Sequence, residues 1–204
     1  MTDRPQWMRP HGRPWTRGPG RLVYDNPWIS VTEFNATAPT GHPARYGLVG
    51  YKNRALAIFP LFEDGTILMV GQNRLPFADY SWEIPEGGGL LSEDPLAGAR
   101  RELLEETGYQ AATWREVMRL QLSNSVSDEL AICYLATDLS TGRPAVHVDD
   151  TEDIAQVRAP FREVLDAALS GYISDSLTVA MLLKIYHMAN TGDLGDGLAR
   201  FVLG

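Results

Sequence analysis

The stretch Gly87-Gly88-Gly89-Leu90-Leu91-Ser92-Glu93-Asp94-Pro95-Leu96-Ala97-Gly98-Ala99-Arg100-Arg101-Glu102-Leu103-Leu104-Glu105-Glu106-Thr107-Gly108-Tyr109 carries the most information in this chain. It reads as a glycine loop running into one helix. Asp94 can cap the helix N-terminus, Pro95 suits the first helical position, and Gly108 suits the left-handed residue beyond the end. At about 100° per residue, Leu96, Ala99 and Leu103, extended by Leu104 and Ala97, form a face to bury. Glu102, Glu105 and Glu106 share another arc. Carboxylates within one turn repel each other by about 0.2–0.5 kcal/mol per exposed pair, and the negative end of the helix dipole adds to that. A hard divalent cation reverses the cost, because Mg2+ prefers oxygen donors. A solvated face with Arg101 bridging Glu105 is the alternative that the helix alone leaves open.

The preceding Pro85-Glu86-Gly87-Gly88-Gly89 is expected to be neither ordinary helix nor strand. Its glycines permit positive φ and close backbone approach, and a backbone carbonyl there can add a neutral oxygen beside the carboxylates. Gly87, five residues, Glu93, seven residues, Arg101-Glu102, then Leu103, Glu105-Glu106, Gly108 and apolar Tyr109 resemble the Nudix box at every defined position. Tyr109 is a mild variant of the usual aliphatic residue. The resemblance implies an α/β (α+β) protein, a Nudix-type α/β/α sandwich with a mixed sheet. It also implies a hydrolase of nucleoside diphosphates linked to another group, using Mg2+ or Mn2+. On that basis Glu102 and Glu106 are the principal metal ligands, Glu105 assists through a second metal or its water, and the Glu86 carbonyl completes the set. Gly87, Glu93, Arg101 and Gly108 are then structural, with Glu93 and Arg101 fixing loop against helix.

The flanks narrow the resemblance. Gly71-Gln72-Asn73-Arg74 followed by Trp82-Glu83-Ile84-Pro85 is similar to ADP-ribose and nucleoside-diphosphate-sugar pyrophosphatases, which implies that Arg74 reaches the substrate phosphates and places Glu83 beside it. An Arg fork suits a diphosphate; a solvated strand-end charge is the other reading. Ser127-Asp128-Glu129 also resembles that subgroup, which puts Glu129 near the substrate. The strand pair around Asn26-Pro27-Trp28-Ile29 resembles the extra region through which these enzymes form swapped dimers, and Trp28 either stacks on the base or sits in a core or interface. A general base is expected from Asp149-Asp150-Thr151-Glu152-Asp153, with Glu152 the first choice and Asp150 the second. ADP-ribose, ADP-glucose, UDP-glucose and GDP-mannose all fit. A Nudix-fold sensor that binds without cleaving is the competing class, but it would have no reason to keep all three box glutamates.

Composition sets the remaining bounds. The 204 residues are 44% apolar and 22% charged, enough to bury a sizeable core. The net charge of −8 argues against a nucleic-acid partner held by a broad basic face. No apolar run approaches the roughly 18 residues of a spanning helix, and the N-terminus lacks a secretion signal's apolar stretch, so a cytoplasmic protein is expected. The single cysteine, Cys133, lies in an apolar strand-like run and reads as a core thiol.

Four segments are expected along the chain. Residues 1–21 alternate Arg and Pro and form an extended arm, either loose or pinned by Trp7 or Trp15. Residues 22–45 form a β-strand region for dimerisation. Residues 46–190 form the hydrolase domain, with a hairpin turn at Glu63-Asp64-Gly65. Residues 191–204 form a flexible glycine-rich tail.

Overall fold

The computed structural model describes residues 4–142 and 153–204. Among them the chain forms β1 (Thr16–Asp25), β2 (Ile29–Thr37), β3 (Pro43–Tyr51), β4 (Asn53–Pro60), β5 (Thr66–Arg74), β6 (Asp79–Glu83) and β7 (Glu86–Leu90). Then come α1 (Pro95–Thr107), β8 (Tyr109–Gln121), β9 (Leu130–Thr141), β10 (Ala155–Pro160), α2 (Phe161–Leu169), α3 (Ser176–Asn190) and α4 (Asp196–Leu203). They divide into two units, Met1–Lys52 with Ser123–Asp128, and Asn53–Leu122 with Glu129–Gly204.

The first unit is an antiparallel sheet in the order β1-β2-β3. Its first strand begins at Thr16, inside the stretch expected to be an arm. Pro19 is tolerated because β1 is an edge strand, and the ladder slips between Arg17 and Gly20 around it. Trp15 packs edge-on against Tyr46, 5.3 Å between ring centres, whereas Trp7 is exposed. The unit ends beyond the expected residue 45, because β3 pairs with β2 along its whole length to Tyr51. The Ser123–Asp128 segment closes it: the Val49 amide donates to the Val126 carbonyl (2.8 Å), and the Tyr51 amide donates to Asp128 Oδ1 (2.8 Å).

In the second unit β4 and β9 run parallel at the centre of a mixed sheet, order β7-β4-β9-β8, with both outer pairings antiparallel. Alternation decides what each face buries. Leu56, Ile58, Ile132 and Tyr134 pack with Ala99 and Leu103 of α1. Ala57, Phe59, Cys133 and Leu135 face the other way, onto Ile67 and Met69 of β5 and onto Phe161, Leu177, Met181 and Ile185 of α2 and α3. Each large apolar side chain buried this way contributes about 1.5–3 kcal/mol. A second, antiparallel sheet, β10-β5-β6, lies in this layer. The result is the expected α/β/α sandwich. Cys133 is inside it, and burial pushes its thiol up to about 12.

Three local expectations are corrected. The Glu63-Asp64-Gly65 turn forms, with Gly65 at φ +79, but β4 and β5 enter different sheets because β7 and β9 already occupy both edges of β4. Glu86–Leu90 is a strand, β7, laid antiparallel on β4, and Gly87, Gly88 and Gly89 are absent from the positive-φ residues; they serve close approach alone. The segment 191–204 contains α4, which buries Ala199 and Val202. Its glycines lie at the turn before the helix and at its start, so they do not prevent docking.

Candidate active site

Helix α1 forms as its sequence dictates. Asp94 Oδ2 accepts the Ala97 amide (3.2 Å), and Gly108 takes φ +71 after the last turn. Ala99 and Leu103 anchor one face, which fixes the direction of the others. No basic residue lies in the last turn, so the compensation for Glu105 and Glu106 at the negative end of the dipole comes from outside that turn.

The glycines of β7 receive those carboxylates. A β-carbon on Gly87 would fall 2.3 Å from Glu102 Oε2, so the Glu102 carboxylate lies directly on the glycine backbone. One residue earlier, the Glu86 amide donates to Glu106 Oε2 (3.2 Å). Glu106 therefore meets the backbone at Glu86, and Glu102 meets it at the adjacent Gly87. Arg101 draws the rest together: Nη1 reaches Glu105 Oε2 and Glu102 Oε1 (both 2.8 Å), and Nη2 reaches the Gly88 carbonyl (3.1 Å) and lies 3.8 Å from Glu93 Oε2. Loop and helix are tied by one guanidinium. Part-buried carboxylates converging on a glycine backbone are a donor set suited to a hard divalent cation.

A second charged group adjoins the first. Glu83, at the end of β6, is buried, and Arg74 Nε and Nη2 both donate to its carboxylate (Nε–Oε1 3.0 Å). Arg74 Nη2 also reaches Glu86 Oε1 (3.2 Å). Hydrogen bonding to Glu83 is the main reason the Arg74 guanidinium is held still more firmly in its charged form. Burial, reinforced by Asp175 and Glu83, pushes the Glu86 carboxyl well above the usual carboxylate range. These groups line a cavity of about 520 Å³ together with Phe77, Tyr80 and Ser81. The Glu86 side chain and Asp175 were missed by sequence reasoning. Asp175 shows in the sequence only as the cap of α3, where its Oδ2 accepts the Thr178 amide (2.7 Å).

The remaining expected residues are not among the groups just described. Trp28 belongs to the first unit and is 65% exposed. Glu129 begins the second stretch of the second unit, and its carbonyl accepts the Leu122 amide (3.3 Å). Glu152 and Asp150 lie outside the described residues. The described chain on either side of them is held at the C-terminal end of α1: the Gly142 amide donates to the Gly108 carbonyl (2.7 Å), and Gln156 Nε2 donates to the Glu106 carbonyl (2.7 Å).

Comparison with known proteins agrees with this geometry. Residues 51–176 match the model of the NUDIX domain. An ADP-ribose pyrophosphatase of Mycobacterium tuberculosis is 36% identical over 140 residues, covering 68% of this chain and 67% of that protein. An ADP-ribose pyrophosphatase of Bacillus subtilis is 29% identical over 156 residues, covering 76% and 84%. The crystal structure of an ADP compounds hydrolase shares the fold with a TM-score of 0.79 at 18% identity, over 91% of this chain and 100% of that one. Among the described residues, no helix is long and apolar enough to cross a membrane. With the box intact on α1 and most of its length matched, the chain belongs to the Nudix family of hydrolases.

Proposed function

We propose that this protein hydrolyses the diphosphate bond of a nucleoside diphosphate sugar, ADP-ribose or a similar compound, giving a nucleoside monophosphate and a sugar phosphate. The observation that carries this reading is the convergence of Glu102 and Glu106 on the backbone of the adjacent residues Gly87 and Glu86. The names of the relatives from Mycobacterium tuberculosis and Bacillus subtilis support the substrate class.

Glu102, Glu106 and the Glu86 carbonyl would hold Mg2+ or Mn2+, with Glu105 assisting. Bound there, the ion supplies charge neutralisation of the diphosphate and a water of lowered pKa. Arg101 holds Glu102 and Glu105 in place before substrate arrives. Arg74 meets a phosphate oxygen through Nη1, the nitrogen that its contacts with Glu83 and Glu86 leave out. Glu152, or Asp150 after it, takes the proton of the attacking water; the anchoring of Gly142 and Gln156 beside α1 supports a base from that loop. Glu129 contacts the substrate, and Trp28 stacks on the base. The chain works as a cytoplasmic homodimer, with no membrane or nucleic-acid partner.

A panel of ADP-ribose, ADP-glucose, UDP-glucose and GDP-mannose in Mg2+, with products identified by mass, tests the reading. One of them should be split to monophosphate and sugar phosphate, and Glu106→Gln should abolish that turnover. Binding of ADP-ribose without cleavage of any member would establish the sensor instead.

A further inference from the structure

The Glu86 side chain is a second use of a residue whose backbone serves the box. One carboxylate oxygen from each of Glu83, Glu86 and Asp175 lies within 4.8 Å of the other two. Glu86 Oε1 is taken by Arg74. Its Oε2 is buried and accepts no hydrogen bond among the described residues. A buried carboxylate oxygen left unsatisfied is costly, because it has given up water and gained no donor. With Arg74 as the cation in contact, the cluster would stand two negative charges in excess once all three carboxylates were ionised, as metal ligation requires. A divalent cation removes both problems, since it matches the excess charge and gives Oε2 a partner.

The dimensions agree. Three oxygens no more than 4.8 Å apart admit an ion at most about 2.8 Å from each, which a small inward movement brings to the 2.3–2.6 Å of Ca2+ or the 2.0–2.1 Å of Mg2+. The cluster faces the 520 Å³ cavity, where the Ser81, Ser174 and Ser176 side chains leave room for the waters such an ion keeps. The three carboxylates come from β6, β7 and the start of α3, and the frame between them is pinned by the buried hydrogen bond from the Ile84 amide to Thr178 Oγ1 (2.9 Å). Asp175 caps α3 through Oδ2, which leaves Oδ1 for a ligand.

We propose that Glu83, Glu86 and Asp175 form a divalent-cation site of their own, beside but separate from the glutamates of α1. It does not rest on the reading of the substrate, because it loads with the metal alone. The test counts Mn2+ bound to the full chain by electron paramagnetic resonance, with no nucleotide present. In Glu102→Gln/Glu106→Gln protein, one Mn2+ should still bind and raise the thermal midpoint. Adding Asp175→Asn, which preserves the cap, should weaken that binding at least tenfold. In the otherwise native chain, Asp175→Asn alone should lower the Mn2+ count by one, a measurement that does not depend on folding of the multiple variant. A double variant that binds no Mn2+, or a count unchanged by Asp175→Asn, overturns the proposal.

Discussion

The carboxylate of Glu102 occupies the space that a side chain on Gly87 would need, since an added β-carbon would lie 2.3 Å from both its Cδ and its Oε2. Gly87 has no positive φ, so alanine is allowed by its backbone and excluded by its neighbour. Gly87→Ala should therefore fold, because the atom displaced is the end of a flexible side chain. The Mg2+ concentration for half-maximal activity should rise at least about tenfold, or roughly 1.4 kcal/mol in binding. Metal titration of steady-state rates checks this; an unchanged requirement would separate Glu102 from the metal.

Arg74 is held by Glu83 on one side and Glu86 on the other, so its loss has a structural part. Arg74→Ala leaves the buried Glu83 without its fork and should cost about 2–3 kcal/mol, below the figure for a fully buried pair because Arg74 is partly solvated. Arg74→Ala/Glu83→Gln should recover much of that stability. If Arg74 also meets phosphate, the double variant should remain poor in kcat/KM. Denaturant melts alongside kinetics decide; full recovery of activity with stability would make Arg74 structural alone.

The raised Glu86 carboxyl has a signed consequence for stability without metal. Between its ordinary value of 4.5 and its higher folded value, the folded chain keeps a proton that the unfolded chain has released. Stability therefore falls as pH rises through that window. The groups facing Glu86 are Asp175, Glu83, Arg74 and Glu106, and burial dominates them. In EDTA, Glu86→Gln should have the higher thermal midpoint at neutral pH, and the gap should close as pH falls toward 4.5. Parallel midpoint curves would remove Glu86 as the cause.

For the base, Glu152→Gln should lower kcat by about 10²–10⁴ and change KM little, because a residue acting on the attacking water contributes in the transition state. The same kinetics on Asp150→Asn should show a small effect. The reverse pattern moves the role to Asp150, and full activity in both moves it out of the loop.

The first unit displays Leu22, Val23 and Tyr24 along β1, with Trp28 beside them. Such an apolar edge sheet argues for a covering copy. Light scattering at micromolar concentration should return a dimer mass, and Trp28→Glu should shift it toward monomer. A monomer mass for the native chain would refute the dimer.

Much of this molecule was legible in its sequence. Asp94, Pro95 and Gly108 mark α1 because caps depend on local chemistry, and the sandwich followed from the box they enclose. What escaped depends on contacts distant in the chain. Pro85–Gly89 reads as a loop because glycine disfavours strands, yet β4 offers it an edge, and Leu56 lies so close to Gly89 that a β-carbon there would be 2.5 Å from its Cδ1. The glycines of the tail predict fraying, while Ala199 and Val202 meet a core that local sequence does not display. Asp175 was invisible as a member of the site because it is remote from the box and joins it only through the start of α3.

The parallel pairing of β4 with β9 also dictates an order of events during synthesis. Ala55–Pro60 leaves the ribosome long before Ala131–Ala136, and no local hairpin can stand in for a parallel partner. Until then Leu56 and Ile58 lack Ile132 and Tyr134, and Phe59 lacks Cys133 and Leu135. The nascent chain thus carries a sticky, half-satisfied strand while the residues between Pro60 and Leu130 are made, a state prone to aggregation. A premature stop between β8 and β9 yields a fragment that contains the whole box and lacks one of the two central strands of its sheet.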